Sequence, residues 1–425
     1  MIRVRSSLTG STGNLVAFWF LGLFNNFAYV IMLSAAKDIL EPNQSNTTTN
    51  ATLACAVLLA DIVPSLLIKI VSPFVFASIA YNVRHSIVLC LQALSFIVVA
   101  SSAGPVMGLF GVVLASLGAG LGDITLLALS SHFHNNVITS WSSGTGGAGI
   151  IGALTYAFLT DRNLLNFSPQ TALFCMLIVP LLFGLTFYGL LQTPLSVHKA
   201  NPLRLSTYLI PTPLAGESSE TASIYSNNSE LRLLHDSDPS DEEETEDSSL
   251  PSKWELIKPL LPFMVPLCVV YFGEYFINQG LVELLVFDCA HGFNLSATAQ
   301  YRWYQVLYQI GVFVSRSSVG IFLLKQKFLP VLATLQIVNA FGFAAETMHH
   351  SIDYIWIIFI WILYEGALGG LSYANTFKLL HKTVPKRRRE FSMAFVSMAD
   401  AVGIVFAGLL AIPTHNFICS HFFLH

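Results

Sequence analysis

The chain has 425 residues; 54% are apolar, 12% aromatic and 11% charged, and the mean hydropathy is +0.63. Soluble domains carry roughly 25% charged residues, so a water-soluble fold of two or three domains is excluded and the rules of a bilayer solvent apply. The net charge of −4 comes from one segment: residues 217–247 hold eleven acids and one base, Arg232, while the remainder holds fourteen acids against twenty bases.

Apolar runs of about 20 residues fall near 14–36, 53–80, 85–103, 106–131, 143–160 and 170–191. After a long polar break, five more follow near 258–286, 301–323, 329–346, 353–376 and 391–413. The spacing predicts an all-α polytopic membrane protein of eleven transmembrane helices, six and then five. The expected plan is a cytosolic N-terminus (1–13) and a six-helix bundle (14–191) with a lumenal loop at 37–52. An acidic, disordered cytosolic loop (192–257), a five-helix bundle (258–413) and a short lumenal tail (414–425) complete it. Tyr81-Asn-Val-Arg84-His85 reads as the short loop between the second and third helices.

Orientation follows from basic residues in short loops. With the N-terminus in the cytosol, sixteen Lys and Arg fall on the cytosolic side and three, Lys37, Arg162 and Arg302, on the other; Lys69 and Arg316 lie inside spans. Four glycosylation sequons, at Asn43, Asn46, Asn50 and Asn294, all fall in loops that this count places in the lumen. In the acidic loop, Glu230 precedes the pair Leu233–Leu234. The pattern reads either as an acidic di-leucine sorting signal that engages adaptors or as an incidental Leu pair in a linker.

Charged and polar groups inside a bilayer are costly and mark function by default. Here they concentrate on Asn25, Asn26 and Tyr29 in the first run, Asp123 in the fourth, Glu274, Asn278 and Gln279 in the seventh and Glu365 in the tenth. These are the helices that open each three-helix repeat of a 6+6 transporter and line its central cavity. Glu274 and Asn278, four apart, share a helix face, and a carboxylate flanked by an amide and a phenol can hold a proton or a polar substrate. Arg302 and Arg316 lie fourteen residues apart on nearly one face and suit a phosphate-bearing anion, or else pair with acids. Asp61 and Lys69, with Pro64 between them, read equally as a proton relay or a structural pair. The run Ser142-Ser-Gly-Thr-Gly-Gly-Ala-Gly149 lacks the Gly-Lys-Ser/Thr ending of a phosphate loop; it reads as a close-packing helix face, as do Gly366, Gly369 and Gly370.

No nucleophile elbow, zinc-protease motif or dinucleotide fingerprint is present, and six Cys show no metal-ligand spacing. An enzyme, a cofactor, a metal site and nucleic-acid binding are not expected. The basic cluster 386–389 flanks the membrane and suits anionic lipid.

Several long segments resemble the battenin family, lysosomal membrane proteins linked to juvenile neuronal ceroid lipofuscinosis. They are Phe18-Trp-Phe-Leu-Gly-Leu-Phe-Asn-Asn-Phe-Ala-Tyr29, Met32-Leu-Ser-Ala-Ala36, Ala60-Asp-Ile-Val-Pro64 and Trp141-Ser-Ser-Gly-Thr-Gly-Gly-Ala-Gly149. The second half adds Val270-Tyr-Phe-Gly-Glu-Tyr-Phe-Ile-Asn-Gln-Gly280, Gln300-Tyr-Arg-Trp-Tyr304, Ser315-Arg-Ser-Ser318, Leu363-Tyr-Glu-Gly366 and Arg389-Glu-Phe391. The resemblance implies a multi-spanning protein of late endosomes and lysosomes with a major-facilitator-like fold. It also implies a part in clearing glycerophosphodiesters and in lysosomal pH and basic amino acid balance. One feature departs: mammalian members carry a C-terminal prenylation box, whereas here Cys419 is followed by Ser-His-Phe-Phe-Leu-His425, so lipid anchoring is not carried over. The expectation is a lysosomal transporter of a small polar or anionic metabolite, with protons as a second partner. The alternative is a non-transporting scaffold for endolysosomal trafficking acting through residues 192–257.

Overall fold

A computed structural model describes residues 2–40, 47–160, 164–194, 196–201, 203–210, 253–288 and 290–422. Helices fall on all eleven apolar runs. The first half comprises α1 (Ile2–Leu40), α2 (Thr47–Val75), α3 (Tyr81–Ala100), α4 (Pro105–Ser130) and α5 (Asn136–Thr160). Its sixth span is broken into α6 (Pro169–Cys175) and α7 (Ile178–Leu185), with a π turn to Leu190. The second half opens with short α8 (Lys253–Ile257) and α9 (Leu261–Phe276), which ends in a π turn, Ile277–Leu281. It continues with α10 (Ala297–Ser318), α11 (Leu329–His349), α12 (Ile355–Thr383), α13 (Lys386–Val396) and α14 (Met398–Phe422). Among the described residues there is no strand, only a single bridge between Ile79 and Leu209, as expected where every backbone group must be paired within its own segment.

Local chemistry sets the boundaries. Gly104-Pro105 ends one span and starts the next, Pro at the first helical positions costing no hydrogen bond. Ser168 and Ser296 cap α6 and α10 by accepting from Thr171 N (3.2 Å) and Ala299 N (3.3 Å). Inside α2, Pro64 removes a donor. There the Ser116 hydroxyl of α4 enters the ladder, accepting from Ser65 N at 3.0 Å and donating to Asp61 O.

Three sequence boundaries are corrected. Residues 81–85 begin α3 rather than form a loop: Arg84 is buried, lies over the Tyr81 ring at 4.6 Å and donates through Nε to Ile79 O at 2.7 Å. The stretch after the sixth span is ordered as far as Ile210, with Asn82 donating to Ala200 O at 2.9 Å and accepting from Ala200 N at 3.1 Å. Residues 414–422 are not a tail but the last turns of α14, which runs through Pro413. Asn43, Asn46, Glu230, Leu233 and Leu234 lie outside the described residues, and Asn50 falls within α2. Asn294 is exposed in a turn with φ 56°.

Helix pairing repeats between the halves. In the first, α1 packs along α5 and α2 along α4; in the second, α9 packs along α14 and α10 along α12. Counted by span, first with fifth and second with fourth become seventh with eleventh and eighth with tenth. The halves then join through α5 on α10 and α2 on α14, two contacts that the same shift of six spans interchanges. Among the described residues, eight helices are long and apolar enough to cross a membrane. The joining helices α5 and α10 are not in that set: facing each other, they carry the Gly, Ser, Gln and Arg that lipid would not tolerate.

Candidate functional site

The Gly-rich face of α5 brings three helices together. A Cβ at Gly144 would lie 2.0 Å from Trp19 O, and one at Gly22 would lie 2.6 Å from Trp141 O, so α1 and α5 cross backbone to backbone. On the opposite side, a Cβ at Gly146 would meet Phe313 Cα at 3.0 Å and one at Gly149 the Gln309 amide oxygen at 1.9 Å. These contacts support the close-packing reading of this run. Trp19 Nε1 donates to Ser143 Oγ at 3.1 Å, and Ser143 Oγ lies 2.9 Å from Ser317 Oγ, which links α1, α5 and α10.

The crossing sets Arg316 of α10 between the halves. Its guanidinium donates to Thr145 Oγ1 of α5 at 2.7 Å and to Tyr271 Oη of α9 at 2.9 Å. It also lies 4.3 Å above the Tyr373 ring of α12, whose hydroxyl accepts from Trp141 Nε1 at 3.1 Å. Among the described residues no carboxylate is within ion-pair distance of Arg316. Two hydroxyls and a ring face meet the two terminal nitrogens, Nε is buried without a hydrogen-bond partner, and the charge is left uncancelled.

One turn along α9 from Tyr271, Glu274 accepts a short hydrogen bond from Tyr308 Oη. Asn278 Nδ2 donates to Glu274 O at 3.0 Å and to both Glu365 oxygens at 3.2 and 3.3 Å. Gln336 Nε2 donates to Glu365 Oε1 at 3.0 Å. Both carboxylates are buried and are held by neutral donors from three segments, α10, α11 and the π turn that ends α9. Gly369 leaves room for them: a Cβ there would lie 2.2 Å from Glu274 Oε2.

A second cluster lies nearer the end of the bundle that carries most of the basic loops. Lys69 Nζ is 3.1 Å from Asp123 Oδ2 and bonds both Asp400 oxygens at 3.1 and 3.2 Å. It therefore ties α2 and α4 of one half to α14 of the other. Lys69 stands six residues from the end of α2, about 9 Å, and Thr145 nine residues from the start of α5, about 14 Å, by the helical rise. Beyond the cluster, Glu390 of α13 accepts from Tyr81 Oη and lies 3.5 Å from His132 Nε2, so the halves meet again.

The predicted residues thus separate into groups. Glu274, Asn278, Glu365 and Arg316 come together. Asp123 joins Lys69 instead, and Asn25 Nδ2 braces it at 2.8 Å. Tyr29 reaches across to Tyr275 with 3.3 Å between hydroxyls. Asn26 bonds its own helix at Gly22 O (3.3 Å), and Gln279 is half-buried in the π turn. Arg302 is exposed, about 21 Å along α10 from Arg316, so the two Arg do not share a site. Asp61 is fully buried, and Lys69 pairs away from it. Sequence reasoning missed Tyr308, Gln336, Thr145 and Tyr373. The available signal was for Gln336, which with Asn339 and Glu346 makes up the strongly polar residues of a mostly apolar ninth run.

A model of the CLN3 protein family matches residues 16–421. The chain belongs to that family. Battenin of Canis lupus familiaris is 40% identical over 426 residues, covering 96% of this chain and 91% of battenin. Among solved structures, the human organic anion transporter MFSD10 (TETRAN) aligns with a TM-score of 0.56 at 12% identity, over 97% of this chain and 98% of that one. A D-xylose-proton symporter aligns with a TM-score of 0.55 at 13% identity, over 96% and 92%. At these identities the likeness shows the fold alone. This CLN3 family chain is a multi-pass membrane protein with a major-facilitator-like, transporter-type architecture.

Proposed function

We propose that the chain exports glycerophosphodiesters across the lysosomal membrane by alternating access of its two halves. The observation that carries this reading is Arg316, a guanidinium set among hydroxyls and a ring with no carboxylate of the described residues in ion-pair range. A phosphodiester presents two anionic oxygens, which guanidinium meets with parallel N–H bonds. Thr145 and Tyr271 supply further hydroxyls, and Glu274 and Glu365 lie beside them for the glycerol hydroxyls or for a proton. Thr145 and Arg316 belong to opposite halves, so a solute held there is sensitive to rocking of one half against the other. With the basic end in the cytosol, the Lys69 and Glu390 contacts tie the halves on the cytosolic side and favour loading from the lumen. A proton moved with the solute would make lysosomal pH and basic amino acid balance depend on the same cycle.

The test is uptake of labelled glycerophosphocholine into proteoliposomes, with and without an inside-acid gradient. Saturable uptake is expected, reduced at least tenfold in Arg316→Ala and still impaired in Arg316→Lys, which keeps the charge but loses the fork. Uptake indifferent to Arg316, or no uptake by folded protein, would remove the proposal.

A further inference from the structure

The repeat between halves exposes one place where they differ. In the first half, α6 and α7 lie along α3 and α1. Phe183 and Phe187 pack on His85 there with ring centroids 4.6 and 4.0 Å apart, and Phe183 reaches Phe24. The counterparts of α3 and α1 are α11 and α9. Among the described residues no helix stands to that pair as α6 and α7 stand to α3 and α1; α12 and α14, which touch both, are the counterparts of α4 and α5. Between them runs a groove of about 590 Å³, walled by Leu261, Val265 and Val269 of α9 and by Pro330 and Ala333 of α11. Gln326 and Lys327 stand at its mouth.

The groove is short. It extends from Leu261 to Val269, eight residues or about 12 Å of helix, against about 15 Å for half of a 30 Å hydrocarbon core. It ends where α9 and α11 touch: a Cβ at Gly273 would lie 3.0 Å from Gln336 Cγ and 3.2 Å from Gln336 O. A crossing helix of a partner needs a seam through both leaflets, and this seam opens in one. Its mouth is cationic, with Lys258, Lys325 and Lys327 all exposed at that end. An apolar wall one leaflet deep, rimmed by ammonium groups, matches a phospholipid with a net negative headgroup, the ligand that basic pockets between transmembrane helices select. The volume lies within the roughly 300–1,000 Å³ of small-ligand pockets.

We propose that this groove binds one anionic glycerophospholipid of the basic-side leaflet, its chain between α9 and α11 and its phosphate on Lys325 and Lys327. The site is separate from the solute site and does not depend on what the solute is. It is nevertheless linked to it, because Gln336, the residue that closes the groove, is also the donor to Glu365 Oε1. A lipid that fixes the spacing of α9 and α11 fixes the reach of that amide.

The experiment is native mass spectrometry of the full chain after exchange into micelles doped with dioleoylphosphatidylserine or dioleoylphosphatidylcholine. One phosphatidylserine per chain is expected to persist at collision energies that strip phosphatidylcholine. Retention should fall at least tenfold in the double variant Lys325→Gln, Lys327→Gln. It should also fall in Val265→Trp, which fills the groove from an exposed position, with elution and melting unchanged as evidence of folding. Equal retention of the two lipids would overturn the proposal, as would retention indifferent to both kinds of variant. A dimer or a co-purifying membrane helix displaced by Val265→Trp would assign the groove to a protein instead.

Discussion

Lys69, buried, and Arg316, half-buried, are both cations where the two halves meet, yet they are met in opposite ways. Lys69 has two carboxylates, from α4 and α14, within 3.1–3.2 Å. Arg316 has two hydroxyls and the face of a tyrosine. The first arrangement is complete in itself and ties three helices together. The second leaves Nε without a partner and the charge uncancelled, which suits a group that meets an anion during work. Buried ion pairs add little net stability relative to apolar packing, but breaking one by removing a single partner is severe. The same type of charge is structural in one place and available in the other because of what faces it.

The largest expected effect tests that contrast directly. Lys69→Ala leaves Asp123 and Asp400 buried without their cation and should cost about 3–5 kcal/mol, read as a drop in melting temperature of the purified protein. Arg316→Gln strands no carboxylate and should cost clearly less. Equal losses in the two variants would end the distinction. A second measurement sharpens it from the other side. Glycerophosphocholine at about 100 times its dissociation constant should stabilise the native protein by about 2.7 kcal/mol. It should do nothing for Arg316→Gln, and Lys69→Gln, where it folds, should still respond.

A smaller effect concerns the crossing that delivers Thr145 to Arg316. Gly144→Ala forces a methyl to within 2.0 Å of Trp19 O, and overpacking of this kind costs about 1–3 kcal/mol. Gly13 meets nothing within 4 Å, so Gly13→Ala serves as the control and should be neutral or mildly stabilising. If both glycines respond alike, the close crossing does not govern the site.

The spans were legible because a bilayer leaves a chain few choices: a run of about 20 apolar residues has to be a helix. The amides of the first run and the acids of the fourth, seventh and tenth were legible for the same reason, each being costly in lipid. What faces them was not. Tyr308, Gln336, Thr145 and Tyr373 are ordinary residues in their own helices, and their partners are 29 to 232 residues away. Lys69 shows the limit of reasoning along one helix: Asp61, eight residues back, is about 12 Å away by rise, whereas Asp400 lies 331 residues on and within 3.2 Å. Arg84 read as a loop residue because residues 81–85 fall at the break between the second and third apolar runs. The fold resolves the cost of its burial locally, with Ile79 O and the Tyr81 ring. Pro413 with the polar residues after it looked like a helix end, yet α14 continues to Phe422.

The smallest prediction uses a charge contact outside the membrane as a baseline for the buried pair. Asp288 accepts from the His291 backbone N–H at 2.8 Å and lies 2.7 Å from His291 Nδ1, with the imidazole edge-on to Tyr354 at 5.4 Å. The backbone N–H first, and the ring second, hold the Asp288 carboxyl below its ordinary value. A carboxyl depressed in the folded state contributes stability at pH values above the unfolded carboxylate range, near 4. That contribution is lost only as pH falls through the lower folded value. The contact should therefore persist across the interval from pH 7 to pH 5, which spans the change from cytosol to an acidic lumen. Solvent screens an exposed pair, so the Asp288→Asn melting difference should be the smallest of the series. It should be constant from pH 7 to 5 and be lost only below the ordinary carboxylate range. A difference that changes steadily between pH 7 and 5 would break the assignment of this stability to the Asp288 carboxyl.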